Sequence, residues 1–229
     1  MTNNNLIDVS VVLPCRNEEE SIGICINKIK KIFQDNNING EIIVSDSSTD
    51  KSPQIAQELE AKIIKHNKKG YGVAYLEGFG GVGGKYIFMA DCDNTYDFNE
   101  IPRFLKYLDE GYDFVIGDRF GGKMEKGAMP WSHRYIGNPV LSSLFRMIFN
   151  TKINDIHCGM RAFKKDGLDK LDLKTTGMEF ASEMIIEVIK NDLKTKELPI
   201  SYHARYGESK LKTISDGLRH LKLMIKKSL

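Results

Sequence analysis

The stretch Tyr86-Ile87-Phe88-Met89-Ala90-Asp91-Cys92-Asp93 sets five consecutive apolar residues directly before two carboxylates two positions apart. A run of that length and composition reads as a buried strand, and the acidic residues that end it belong to the loop where a sheet meets solvent. Working outward, similar short β-branched runs recur at 9–14, 41–46, 61–66, 85–91 and 113–117. Amphipathic stretches at 18–34, 52–60, 72–79 and 100–109 fall between them. This alternation predicts an α/β fold with a largely parallel sheet and helices on both faces.

Beyond residue 119 the pattern changes. A Gly-rich, Pro-containing stretch from Gly121 to Pro130 precedes a long helical pattern over 134–149. A strand is expected near 159–163, a helix near 179–190, a strand near 196–202 and a last helix from about 212.

The chain has 229 residues, with 33 Lys and Arg against 31 Asp and Glu, a net charge of +2. That length fits one globular unit. The balanced charge argues against a nucleic-acid partner, which calls for a strongly basic surface. Cys15, Cys25, Cys92 and Cys158 stand far apart in sequence and form no C-x-x-C pair, so neither zinc nor a disulfide framework is expected and a reducing, cytoplasmic setting fits best. No segment reaches the ~20 apolar residues of a membrane span.

In an open parallel sheet the ligand crevice lies beyond the carboxyl ends of the strands. Read in order, those ends are Pro14-Cys15-Arg16-Asn17-Glu18, Asp46-Ser47-Ser48-Thr49-Asp50, Asp91-Cys92-Asp93 and Gly117-Asp118-Arg119. Four loops distant in sequence thereby bring carboxylates, an amide and arginines to one edge. The Asp91/Asp93 pair offers hard oxygen donors suited to Mg²⁺ or Mn²⁺. Gly78-Phe79-Gly80-Gly81-Val82-Gly83 matches a dinucleotide fingerprint in letters, but it ends a helix and precedes a strand, so a packing turn is expected instead. The five histidines show no metal spacing, and His157 beside Cys158 lacks a nucleophile elbow.

These strand-end motifs, together with Asp155-Ile156-His157-Cys158-Gly159-Met160-Arg161-Ala162-Phe163 and Arg205-Tyr206-Gly207-Glu208-Ser209-Lys210, resemble the ordered motifs of family 2 glycosyltransferases of the GT-A fold. The late segments resemble the branch that makes polyprenyl- and dolichyl-phosphate sugars. The resemblance covers residues 7–211 and implies a GT-A domain over 1–211, Rossmann-like, with short antiparallel additions in its C-terminal half. It implies that Pro14, Arg16, Glu18, Asp46 and Ser47 hold the nucleoside, and that Asp91, Cys92 and Asp93 face the metal and donor diphosphate. Arg205 and Lys210 would close over that diphosphate, and Arg119, Arg134 and Asn138 would face the acceptor phosphate. Asp91, Asp93, Arg119 and Arg134 would then form the catalytic set.

Two departures from the family pattern stand out. Thr95 replaces a common Gln, leaving the third metal ligand open and favouring a UDP-sugar over GDP-mannose as donor. Asp118 stands where a small residue is usual and is positioned to pair with Arg119.

The implied reaction is a metal-dependent, inverting transfer of a sugar from a nucleotide-sugar donor to dolichyl or polyprenyl phosphate. A lipid phosphate is already anionic, so arginines take the place of a general base. The alternatives are transfer to a saccharide hydroxyl, with Asp118, Glu179 or Glu183 as base, and a non-enzymatic nucleotide-binding, membrane-peripheral module. Residues 212–229 read as a basic amphipathic helix with Arg219, Lys222 and Lys226 beside apolar positions, suited either to core packing or to the cytoplasmic face of an anionic membrane.

Overall fold

The computed structural model describes residues 6–207 and 213–228. Seven strands, β1 (Val9–Cys15), β2 (Gly40–Asp46), β3 (Lys62–Lys65), β4 (Tyr86–Met89), β5 (Phe114–Asp118), β6 (Arg161–Lys164) and β7 (Thr195–Pro199), form one sheet in the order β3-β2-β1-β4-β6-β5-β7. Every pairing is parallel except those of β6, which runs antiparallel to both β4 and β5. The antiparallel element is therefore set inside the sheet rather than on its edge.

The central strand shows why the apolar run folds this way. Val9, Val11, Val12 and Leu13 of β1 are fully buried, covered on both faces of the sheet. Burying each such side chain contributes about 1.5–3 kcal/mol relative to exposure. Helix α1 (Ile22–Asp35) covers one side through Ile22, Cys25, Ile26, Ile29, Ile32 and Phe33, spaced as one helical stripe. The remaining helices are α2 (Ser52–Glu58), α3 (Tyr71–Phe79), α4 (Ile101–Asp109), α5 (Asn138–Phe149), α6 (Lys165–Leu168), α7 (Phe180–Lys190) and α8 (Thr213–Ser228).

The differences from expectation lie mostly at element ends, and they have local causes. Helix α1 begins at Ile22 rather than near residue 18, because Asn17 adopts a left-handed backbone (φ 55°) and residues 18–21 form a turn. Strand β4 stops at Met89, so both acidic residues lie in the following turn, where Asn94 is also left-handed (φ 65°). Strand β7 ends at Pro199, which lacks the N–H needed to continue the ladder. A π-helical turn over His133–Gly137 leads into α5, and α6 is a short helix absent from the sequence reading.

The Gly78–Gly83 run ends α3 and packs against the sheet, as its position predicts: a side chain at Gly78 would sit 2.7 Å from Val12. Helix α8 packs against α5 and α7, burying His220, Leu223 and Met224. Lys227 Nζ lies 2.7 Å from Glu187 Oε1.

Candidate active site

A cavity of about 690 Å³ opens at the carboxyl edge of the sheet. It is walled by the ends of β1 and β4, the start of α3, the Gly127–Pro130 stretch, α5 and α8.

On one side, the β1–α1 and β2–α2 loops are sewn together. Ser48 Oγ accepts from the Asn17 N–H at 2.9 Å, Asn17 Oδ1 accepts from the Thr49 N–H at 2.8 Å, and Ser52 Oγ accepts from the Glu18 N–H at 2.9 Å. Burial alone would raise the Asp50 carboxyl, but hydrogen bonds from Ser52 and Glu19 outweigh it and hold the group below its ordinary value. This network fixes Pro14, Arg16, Glu18 and Ser47 along the cavity wall. Asp46 lies beneath them, fully buried and outside the lining. Its Oδ1 accepts from the Ser48 N–H at 3.2 Å, and its Oδ2 has no partner among the described residues.

The acidic pair occupies the floor. Asp93 Oδ1 accepts from the Thr95 hydroxyl at 2.6 Å and the Thr95 N–H at 3.1 Å, while Oδ2 faces Arg205 at 3.0 Å. Thr95 is thus committed to positioning Asp93. Asp91 accepts no hydrogen bond among the described residues, and burial, then the charge of Asp93, push its carboxyl up to about 7. Two hard oxygen donors, one of them strained in its charged form by an acidic neighbour, are an arrangement that a divalent cation relieves. The residues present fit Mg²⁺ or Mn²⁺. Among the described residues no group of three or more His, Cys, Asp and Glu surrounds such a position, so the other ligands would come from substrate phosphates and water.

Opposite, Arg119 is 7% exposed and forms a two-pronged pair with fully buried Asp155, through Nε at 2.6 Å and Nη2 at 2.8 Å. Its guanidinium lies 5.2 Å from the centre of the Tyr202 ring. The expected pairing with Asp118 does not form. Asp118 Oδ1 instead accepts the Phe120 and Gly121 N–H groups, capping the turn that leaves β5.

Reversal of β6 explains the presence of Asp155. An antiparallel strand enters the sheet from the carboxyl edge, so the loop before it, not after it, reaches the cavity. Arg161, 1% exposed, braces that loop by donating to the carbonyls of Cys158 (2.8 Å) and Ile156 (3.0 Å). The same loop brings His157 into the cavity wall, which the sequence reading had set aside. Burial, then His220, Arg119, Arg161 and His133, hold its imidazole well below the ordinary range, so it is neutral.

Other wall residues were also missed, among them Lys69, Tyr71, Tyr96, Tyr202, Arg219 and His220. Tyr96 lies only three residues past the Asp91-Cys92-Asp93 motif, and the others follow β3 or β7 or sit on α3 and α8, where no motif marks them.

Of the expected acceptor residues, Asn138 lines the cavity and donates to Met129 Sδ at 3.3 Å. Arg134 does not line it. The π-helical turn gives the cavity positions to His133 and Gly137, and the Arg134 guanidinium lies 5.4 Å from the Tyr135 ring centre. Lys210 lies outside the described residues. Of the carboxylates considered as bases, Glu183, 1% exposed, accepts from the Lys174 and Thr175 N–H groups and the Thr175 hydroxyl, Glu179 has a buried Oε2 with no hydrogen-bond partner among the described residues, and neither lines the cavity.

An open α/β sheet with one reversed inner strand and an acidic pair at its carboxyl edge defines the GT-A class of glycosyltransferase. The model for glycosyl transferase family 2 matches residues 10–172, and the chain belongs to that family. Over 218 residues it is 45% identical to the low-salt glycan biosynthesis hexosyltransferase Agl6 of Haloferax volcanii, covering 95% of this chain and 53% of that protein. The chain thus spans about half the length of that relative. It is 32% identical over 229 residues to a dolichyl-phosphate hexose transferase of the same organism, covering 99% of this chain and 96% of the other. Among solved structures it resembles glucosyl-3-phosphoglycerate synthase of Mycobacterium tuberculosis in complex with Mn²⁺, UDP-glucose and phosphoglyceric acid. That likeness has a TM-score of 0.78 and 19% identity, covering 96% of this chain and 79% of the other.

Proposed function

We propose that this glycosyltransferase moves a hexose from a nucleoside diphosphate donor, UDP-linked in preference to GDP-mannose, to the phosphate of a dolichyl or polyprenyl lipid, with inversion. One observation carries the reading: a cavity with the Asp91/Asp93 pair on its floor faces a buried arginine, Arg119, and none of the carboxylates nominated as base lines it. That arrangement suits an acceptor that is anionic before it reacts. The resemblance of the chain to a dolichyl-phosphate hexose transferase supports it.

In this reading Pro14, Arg16, Glu18, Ser47 and buried Asp46 hold the nucleoside, and Cys92 packs beneath it. Asp91 and Asp93 would hold Mg²⁺ or Mn²⁺, which when bound supplies Lewis-acid neutralisation of the diphosphate leaving group. Arg205, set 3.0 Å from Asp93, would turn to the diphosphate once the carboxylate is otherwise engaged, and Lys210 would share that role. Arg119, clamped by Asp155, and Asn138 would orient the acceptor phosphate for in-line attack and offset repulsion between two anions. Arg134 would meet the incoming phosphate outside the cavity.

The same helices offer a membrane-facing surface. Trp131, Tyr135, Ile136, Val140 and Met147 around α5, with Leu218 and Ile225 on α8, are exposed, and Arg146, Lys222 and Lys226 lie on the same helices. Apolar side chains flanked by basic ones suit the headgroup boundary of an anionic bilayer, so residues 212–229 would lie close to the cytoplasmic face of a membrane. No described helix is long and apolar enough to cross one.

The test is a panel of UDP-glucose, UDP-N-acetylglucosamine and GDP-mannose with Mg²⁺ or Mn²⁺ and a short polyprenyl phosphate. Transfer should require the metal and be nearly abolished in Asp93→Ala and in Arg119→Ala. Full activity of both variants, or transfer only to saccharide hydroxyls, sinks the proposal. Fluorescence of Trp131, the sole tryptophan and 67% exposed, should shift to the blue on anionic vesicles.

A further inference from the structure

Two of the four cysteines, remote in sequence, meet in the floor of the cavity. Strands β1 and β4 pair in parallel with Val12 opposite Met89; three residues further on lie Cys15, at the end of β1, and Cys92, in the turn that follows β4. The strand pair from which the two chains run on is spaced about 4.8 Å, and a disulfide spans a Cα separation of ~4.4–6.8 Å. One contact supports their proximity: Cys92 Sγ donates at 3.0 Å to the carbonyl of Pro14, the residue bonded to Cys15. Cys15 Sγ also lies 3.6 Å from Ser48 Oγ. Each cysteine is 2% exposed and both line the cavity, which gives a small molecule a route to them. Cys92 is moreover the residue between Asp91 and Asp93, so whatever happens to its sulfur acts on both carboxylates.

We propose that Cys15 and Cys92 form a dithiol modification site in the cavity floor, converted to a disulfide by small-molecule disulfides of the oxidised-glutathione class, and that this bond disables the acidic pair. The chemistry balances. One cysteine thiolate attacks the small disulfide, forming a mixed disulfide and releasing one small thiol. The second then attacks the cysteine sulfur of that mixed disulfide, forming the Cys15–Cys92 bond and releasing the second small thiol. Two protons leave the protein thiols and two are taken up by the released ones; the protein is oxidised by two electrons and the reagent reduced by two. Each sulfur is almost wholly enclosed, so exchange is slow and follows sustained oxidation rather than brief exposure. Drawing Cys92 toward β1 displaces Asp91 and Asp93, and a displacement of about 1 Å at a reacting centre can cost roughly a hundred-fold in rate.

The bond itself stands on geometry alone; the loss of activity rests on the donor-site reading proposed above, and the experiment separates the two. The full chain is incubated in glutathione buffers of graded redox poise, quenched with a maleimide under denaturing conditions, and mapped by peptide mass. Expected is a loss of two of the four thiols, a single Cys15–Cys92 linkage, reversal by dithiothreitol, and slower formation in the presence of Mn²⁺ with a UDP-sugar. Cys15→Ser, and independently Cys92→Ala, should prevent the loss, whereas Cys25→Ser should not. Retention of all four thiols across the series, or linkage to Cys25, to Cys158 or between molecules, overturns the proposal. A mapped Cys15–Cys92 bond with unchanged sugar transfer would keep the modification site and refute the donor-site reading. Phenylarsine oxide, which bridges two neighbouring thiols, gives a second readout: unmodified protein should take up one equivalent and Cys15→Ser none.

Discussion

The two halves of the cavity hold their working groups by different means. On the proposed donor side, from β1 to β4, side chains are set by short turns and by loop-to-backbone hydrogen bonds, such as Ser48 on the Asn17 N–H and Asp93 on the Thr95 N–H. On the proposed acceptor side, from β5 onward, they are set by side-chain pairs spanning long stretches of chain: Arg119 with Asp155 and Ser182 with His220. The first construction places charge with many weak constraints. The second places it with few strong ones, so it loses more when one partner is removed.

That contrast is open to direct attack. The largest effect is expected at Arg119 and Asp155. Replacing either by Ala should cost about 3–5 kcal/mol in urea denaturation, because a buried charge is left without its partner, and transfer should be lost in both. The double variant Arg119→Met/Asp155→Leu should recover most of the stability and none of the activity.

Next comes Asp93→Asn. The amide oxygen can still accept from Thr95, so the thermal midpoint should stay near that of the parent, while metal-dependent donor binding, followed by titration calorimetry, falls about a hundred-fold. A large loss of stability here would erase the distinction between the halves.

Acidity separates them with opposite signs. His220 is pushed down from 6.5 to about 4, burial being the main cause, so its contribution to stability is present above 6.5 and lost as the pH falls toward 4. Asp91 is raised from 3.8 to about 7, so in cation-free protein its contribution is present below 3.8 and lost as the pH rises toward 7. Denaturation across this range should show His220→Asn reducing the acid-side loss, which buried His157 shares, and Asp91→Asn reducing the other, which Glu197 shares; added Mn²⁺ should act on the second alone. The smallest effect is expected at Lys227, partly exposed between Glu183 and Glu187: Lys227→Met should cost about 1 kcal/mol or less.

The same contrast explains what the sequence made legible. In the donor half, chemistry and fold share a signal: an apolar strand ends and polar residues follow, so Arg16, Glu18, Ser47, Asp91 and Asp93 were readable from position alone. In the acceptor half the signals separate. Nothing local to Arg119 names Asp155 as its partner, and the adjacent Asp118 was the natural but incorrect choice. His157 lay in a loop preceding a strand, where a rule built on parallel sheets does not look. Arg134, implied by the family resemblance, falls outside the cavity lining because one π-helical turn gives the cavity positions to His133 and Gly137.

The Arg119–Asp155 clasp has a consequence for how this enzyme can diversify. It joins the two ends of the excursion that leaves the sheet after β5 and rejoins it at β6, a separation of 36 residues. With both ends fastened, the intervening chain behaves as a cassette: doubling its length adds only about 0.6 kcal/mol of closure entropy, and none of that is felt by β1, β2 and β4. A descendant could exchange this cassette for one shaped to another recipient while inheriting its donor chemistry unchanged.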